Sequence, residues 1–415
     1  MTDLIVVGAG LAGMFAGALA ARRGLDTIVI ARGIGGTHIS AGMIGVHGYA
    51  QHKPIRKPAP SNLGEKHPYS RFTTATIATA LEKFSTICSE QNLNMLGDLH
   101  TNHWLPTAIG ATHAACLVPE SMLAGDLRNK TPMLIGRLPG FRDFYPELLT
   151  SNLGHDAVVV DLPVPGAPRR RESYATDLAH LLDAPDSREG ILLAWREAID
   201  SLALQSDFAA ARLGVPAILG IEQAHYVWQT AQTILEREVF EIPIMPPSVP
   251  GMRIFNALHT AILAKNGRLV LGPTVQGAFT RHGSAHLSAA ANGRERKYKA
   301  NAILLATGGF AHGGLESESP KTVHESVFDL PVVQTPKGKS WSRARYLDAQ
   351  PFARLGVETD ATSRALDSTG APIADNLWAC GSLLAGADRM TEGSREGIAL
   401  SSAFAAVGAI VAAAG

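Results

Sequence analysis

Three glycines open this chain, Gly8, Gly10 and Gly13, between an apolar run Leu4 to Val7 and a helix-compatible run ending at Arg23. That spacing suits a diphosphate. Gly8 permits a tight strand-to-helix turn, Gly10 lets backbone N–H groups approach a pyrophosphate, and Gly13 lets the helix pack closely on the strand. The helix then offers its N-terminus to the phosphates. A second strand, Thr27 to Ile30, arrives at the spacing of a βαβ unit, and its end should carry an Asp or Glu for the ribose hydroxyls. Ala31 and Arg32 stand there instead, and neither side chain accepts a hydrogen bond.

The elements that must position such a site are legible in outline. After the second strand comes a Gly/Ser/His loop from Gly33 to Gly48, expected to lie near whatever the first turn binds. A Pro-rich basic connection, Lys53 to Ser61, leads to a helix predicted over Thr73 to Gln91. From about Leu96 to Pro246 strand-like pieces (Met133 to Ile135, Ala157 to Leu162) alternate with amphipathic ones (Leu178 to Leu182, Ile191 to Leu204, Val227 to Glu238). The nucleotide-binding theme returns at Leu269 to Leu271, a basic turn around Arg294 to Lys299, and the strand Ala302 to Leu305, which runs into Ala306, Thr307, Gly308 and Gly309. A last strand, Leu377 to Ala379, ends in Gly381 and a loop reaching Gly397, before an Ala-rich helix. The predicted fold is α/β: a Rossmann-like, two-half binding domain of residues 1–95 and 247–415, with an α+β cap domain, 96–246, inserted between the halves.

Composition narrows the function classes. The chain has 415 residues, 46% of them hydrophobic, and no formal net charge, so broad attraction to nucleic acid is not expected. The basic clusters Arg169 to Arg171 and Arg294 to Lys297 read as solvated loops. Cys88, Cys116 and Cys380 are far apart and form no CxxC pair, so no metal site and no iron-sulfur cluster finds its ligands. Thr2 and Asp3 lead directly into the first strand without an export leader, and a reducing cytoplasm fits the cysteine usage. The apolar run Ile398 to Gly415 reads as a packed helix, with a membrane anchor as the alternative.

The N-terminal glycine turn, the strand ending in Ala-Thr-Gly-Gly and the C-terminal strand, glycine loop and helix occur in one order. Together they resemble FAD-containing oxidoreductases of the two-half type. In such folds the terminal helix directs its positive N-terminus at the flavin's pyrimidine edge, and Gly381, Gly386, Gly393 and Gly397 would let backbone donors approach.

More narrowly, the chain resembles the family of B-type subunits of anaerobic glycerol-3-phosphate dehydrogenase. The residues that carry this are His38 with Ser40 to Gly42, His67 to Ser70 (HPYS), Pro246 to Arg253 (PPSVPGMR), Gly309 to Leu315, Val333 to Thr335, Gln350 to Phe352 before Leu355 to Val357, and Asn376 to Asp388. PPSVPGMR is the most specific. The resemblance implies a flavin, FMN or FAD, and a three-part assembly. A larger catalytic flavoprotein subunit oxidises sn-glycerol 3-phosphate to dihydroxyacetone phosphate, and an iron-sulfur, membrane-anchoring subunit passes electrons to quinone. This chain would then sit on the inner face of the cell membrane through its partners, with no span of its own. It departs from the family at Glu392 to Gly397, which brings two charges to the expected flavin edge.

The cofactor contacts expected are Gly8, Gly10, Gly13, Arg32, Ser40, Gly42, Thr307, Gly308, Gly381, Asp388, Arg395 and Gly397. An alcohol dehydrogenation also needs a base near neutral pKa, and histidine suits it. Of His38, His47, His259 and His312, the expected catalytic pair is His38 and His312, although no His/carboxylate pair can be found from spacing. Arg253 is either an anion contact or an exposed loop cap. Arg389 and Arg395 either bind phosphate or flavin oxygen, or pair with Glu392 or Glu396. Cys380 reads as a packing residue. Three functions compete: a flavin subunit relaying electrons within the complex, a stand-alone FAD oxidoreductase of the fumarate-reductase-like group, and a flavin-poor scaffold. With no acid at Ala31, FMN is the flavin such a chain tolerates, and FAD requires Arg32 or backbone groups instead.

Overall fold

The structure is a computed structural model and describes all residues except 1, 167–172, 204–207, 209, 281–283, 292–293, 319–321, 336–339, 346–347 and 415. The basic cluster Arg169 to Arg171 lies outside the described residues.

Five parallel strands form the main sheet, in the order Arg268–Leu271, Thr27–Ala31, Thr2–Val7, Ala300–Leu305, Leu377–Ala379. Strands buried on both faces read as near-continuous apolar runs, and Leu4 to Val7 and Ile303 to Leu305 are almost fully buried. Helix Leu11–Arg22 packs against Arg395–Ala414 and Val249–Leu263, and Thr74–Ser89 packs against the latter two. Local chemistry sets the helix starts. Thr73 accepts from Thr76 N at 3.0 Å, and Ser248 accepts from Gly251 N at 3.1 Å with Pro250 in the first turn.

The terminal helix starts at Arg395, ahead of the apolar run at Ile398, and this puts Arg395 and Glu396 in its first turn. By length and composition it is apolar enough to cross a membrane, yet 56% of its most apolar window is buried inside this fold. The expected basic turn at Arg294 to Lys299 is instead a strand, Arg294–Tyr298, paired antiparallel with Ala285–Ala291. Its charges sit on a sheet edge, where they discourage further strand pairing.

Between the second and third strands of the main sheet in chain order, antiparallel pairs (Met95–Gly97 with Leu117–Pro119, His103–Pro106 with Thr112–Ala115) precede a second sheet. Its strands, Ala157–Asp161, Met133–Arg137, Arg212–Pro216 and Val239–Ile242, are all parallel. The second sheet has its own apolar core, from Leu127 to Val249, separate from the core of the main sheet. Asp183, at the end of helix Ala175–Asp183, accepts from the backbone N–H of Ile221, Glu222 and Gln223 at 2.9, 3.1 and 3.0 Å. This carboxylate fills the anion seat that opens helix Ala224–Leu235.

Candidate functional site

An open α/β sheet presents its ligand crevice at the carboxyl ends of its strands. Here Gly8 follows the first strand at φ +117°, with the backbone of Ala306 so close that any side chain would collide. A Cβ on Gly13 would meet the carbonyl of Gly8 in the same way. Gly10 is different: it caps helix Leu11–Arg22 with no side-chain partner, and nothing lies within 4 Å of where its Cβ would be. No acid stands in the first turn, so an uncompensated helix N-terminus faces open space. At the ribose position the Ala31 carbonyl is taken by Gly272 N at 2.9 Å, and Arg32 is exposed.

Among the described residues, the buried polar atoms without a partner include Thr37 Oγ1, His38 Nε2 and Thr307 Oγ1 of the loops that follow the second and fourth strands of the sheet. An unpaired buried polar group costs about 1–3 kcal/mol, so hydroxyls left open in these loops fit a polar, phosphate-bearing ligand such as a flavin nucleotide. Gly308, at φ +83°, turns the chain toward His312, whose ring lies against Gly36 of the first loop. Ser40 serves that loop locally, donating to Thr37 O at 2.8 Å, while Gly42 lies against Pro250.

The C-terminal loop closes the other side. Gly381 meets Ala12 of the first helix and donates from its N–H to Ser402 Oγ at 2.8 Å. Asp388 caps the short helix Arg389–Glu392. Arg389 is buried and donates to the carbonyls of Leu384, Ala387 and Ala353, and burial lowers its pKa to about 10. Arg395 pairs with its neighbour Glu396, Nη2 to Oε1 at 2.7 Å. Gly397 N donates to Gly45 O at 2.9 Å, an approach that only a residue without a side chain permits beside Tyr69 and Val46.

Glu392 shows what spacing alone conceals. His67 Nε2 lies 3.1 Å from Glu392 Oε2, a buried His/carboxylate pair spanning 325 positions. Burial would raise the Glu392 pKa, but the His67 hydrogen bond and the Arg354 charge outweigh it and hold the group at about 2.

The two histidines expected to be catalytic lie in different surroundings. His38 packs edge-on against Phe255, centroids 4.8 Å apart, and burial lowers its pKa. His312 is lowered by partial burial and then by Arg395. His113 escapes sequence reasoning, because it lies in a run with no motif around it. Loop 45–49 carries its hairpin against the C-terminal loop: Tyr49 faces the His113 ring at 6.4 Å and abuts Gly393. Burial lowers the His113 pKa against the opposing charge of Glu396, with a smaller lowering from Arg395.

Other candidates lie elsewhere. His47 Nδ1 is within 3.0 Å of Ala59 O. His259 lines a separate polar cleft of about 590 Å³ with Gln91, Glu222, Tyr226 and Asn256. Arg253 is neither a loop cap nor exposed: it is buried in a two-point ion pair with Glu241. Cys380 is fully buried, and burial pushes its thiol pKa up, as for a packing residue.

The chain is similar to known proteins. The FAD binding domain family matches residues 3–398. The B-type subunit of anaerobic glycerol-3-phosphate dehydrogenase from Vibrio cholerae is 28% identical over 438 residues, covering 99% of this chain and 96% of that one. Its namesake from Vibrio vulnificus is 29% identical, covering 98% and 95%. Among solved structures, 3-ketosteroid delta1-dehydrogenase from Sterolibacterium denitrificans aligns over 99% of both chains with 12% identity and a TM-score of 0.46. The glycine turn, the open helix N-terminus and the match over residues 3–398 together establish that the chain belongs to the FAD binding domain family and is a flavin-dependent oxidoreductase.

Proposed function

We propose that this chain is the flavin-carrying subunit of a complex that oxidises sn-glycerol 3-phosphate to dihydroxyacetone phosphate and hands the electrons to an iron-sulfur partner at the membrane. One observation carries the reading: Arg395, in the first turn of the C-terminal helix, acts electrostatically on His312 and, with burial, disfavours its protonation. A guanidinium suits a phosphate, and a neutral imidazole suits the proton of an alcohol. The near full-length similarity to B-type subunits of a multi-subunit dehydrogenase supports the assembly. All three cysteines are buried free thiols, which supports a reading in which a partner carries the iron-sulfur centres.

When bound, the flavin supplies the hydride acceptor. Residues 1–95 and 247–415 would hold it, under the segment 96–246. Gly8, Gly10 and Gly13 bring the open helix N-terminus to its phosphate, with Thr37 and Thr307 as hydroxyl partners. When the assembled complex brings the alcohol to this crevice, His312 would take the hydroxyl proton as the carbinol C–H bond breaks, its hydride leaving to the flavin, and the carbonyl forms, with His38 as the buried alternative. Arg395 orients the phosphate.

The test is bleaching of the bound flavin by glycerol 3-phosphate, in the chain alone and in the assembled complex. Efficient bleaching is expected only in the complex, and H312N slows it roughly 100-fold. Robust turnover by the isolated chain refutes the relay role in favour of a self-sufficient oxidoreductase. Chromatography of the released flavin shows whether FAD is held without an acid at Ala31 or FMN takes its place.

A further inference from the structure

We propose that His67 is a positioning residue for the flavin edge of the site: through Glu392 it fixes the loop Asp388 to Ser394 and so the first turn of the C-terminal helix. His67 is 1% exposed, and both ring nitrogens are engaged. Nδ1 accepts the backbone N–H of Tyr69 at 3.1 Å, so the proton resides on Nε2, which donates to Glu392 Oε2 at 3.1 Å. A ring so enclosed cannot reach substrate. Its action is through the carboxylate.

Glu392 is saturated. Oε2 also accepts from Ser394 Oγ at 3.1 Å, and Oε1 accepts from Asp388 N and Arg354 Nη2, both at 3.1 Å. Four donors thus meet the four lone-pair positions of one carboxylate. The same segment is held from outside: Gly48 N donates to Glu392 O at 2.9 Å, and Tyr69 Oη donates to Ser394 O at 3.4 Å. Ser394 O in turn accepts Ile398 N of the helix at 3.0 Å. His67 and the turn Pro68–Arg71 that it caps therefore grip the loop twice, by the His67 ring at Glu392 and by the Tyr69 hydroxyl at Ser394, one residue before Arg395. A helix end acts on a ligand only over its first turn, and functional groups need placement within about 0.5 Å, so slack in this clasp reaches the cofactor directly.

Two substitutions separate the ring's two bonds. His67→Asn keeps an acceptor for Tyr69 N, as asparagine is a good cap, but is too short to reach Glu392. His67→Gln places an amide donor near the Nε2 position and gives up the cap. Full-length chain loaded with FAD is followed by the fluorescence rise on release, by the visible spectrum of bound flavin, and by thermal melting. H67N should release FAD about tenfold faster with a shifted flavin band, while H67Q stays within about twofold of wild type. Equal behaviour of the two variants, or release rates that merely follow the melting temperatures, overturns the proposal. Should H67N fail to fold, Glu392→Gln replaces it, since it sets an amide donor against the Nε2–H. Loose FAD in E392Q with tight FAD in H67Q supports the clasp, and the reverse refutes it. The inference rests on flavin binding by this chain: a wild type that takes up neither FAD nor FMN defeats that reading, whereas unchanged release from the variants defeats only the role of His67.

Discussion

Arg253 and Glu241 join the two sheets of this protein through a buried two-point ion pair, Nη1 to Oε2 at 2.6 Å and Nη2 to Oε1 at 2.8 Å. Arg253 belongs to helix Val249–Leu263 against the main sheet, and Glu241 to the last strand of the second. Arg253 Nε also donates to Gly220 O at 2.8 Å, and Ser121 Oγ and Leu219 N donate to Glu241 at 2.7 and 2.8 Å. Burial alone would raise the Glu241 pKa, but the guanidinium outweighs it and keeps the carboxylate ionised. Arg253→Ala leaves that charge buried without its partner and should cost about 3–5 kcal/mol in denaturant unfolding. The double replacement R253M/E241L should recover most of the loss. A single mutant within about 1 kcal/mol of wild type would contradict this account.

Gly10 and Gly13 should respond differently to one added methyl. Gly13→Ala drives a Cβ into the Gly8 carbonyl and should lower stability by about 1–3 kcal/mol or more. Gly10→Ala meets no protein atom, so melting should change by less than about 1 kcal/mol while FAD affinity falls. Titration calorimetry with FAD beside thermal melting reads both. Unchanged affinity in G10A would remove the phosphate from that helix N-terminus.

Acid should loosen the C-terminal loop in a defined window. The Glu392 pKa is depressed from 4.5 to about 2 in the fold, so its contribution is complete above pH 4.5 and is lost as pH falls toward 2. The linked stability is about 3 kcal/mol at most. Stability measured from pH 6 to 2 should fall more gently in E392Q than in wild type below about pH 4.5. Parallel curves would show that this carboxylate is not titrating as described.

Thiol chemistry offers an independent check on the core. Cys88, Cys116 and Cys380 are fully buried, and burial pushes the Cys116 thiol up to about 12. A disulfide reagent at pH 8 should modify none of them in the folded chain and all of them in denaturant. Rapid labelling of Cys380 in the native protein would mean that the strand Leu377–Ala379 opens locally.

Much of this architecture is written in short-range pattern. The apolar runs at Leu4 and Ala302, each followed by a glycine turn, specify strands of a parallel sheet because such strands are buried on both sides and need close turns at their carboxyl ends. The strand Arg294–Tyr298 is illegible for the opposite reason: at a sheet edge its charges look like a loop, and only its pairing with Ala285–Ala291 defines it. Arg253 is undecidable from its neighbours, since its partner lies in a strand of the other sheet.

The sequence by itself determined the glycine turns and where the main strands lie along the chain, because each rests on residues within a few positions of one another, and the order of those turns along the chain pointed to the flavoprotein class. Only the tertiary structure decided what the charges do. It seals Glu392 under His67, buries Arg389 against carbonyls and leaves Arg395 in a helix's first turn, influencing His312 and His113. Electrostatic partners are set by distance through space, and His67 and Glu392 become neighbours only once the chain between them has folded.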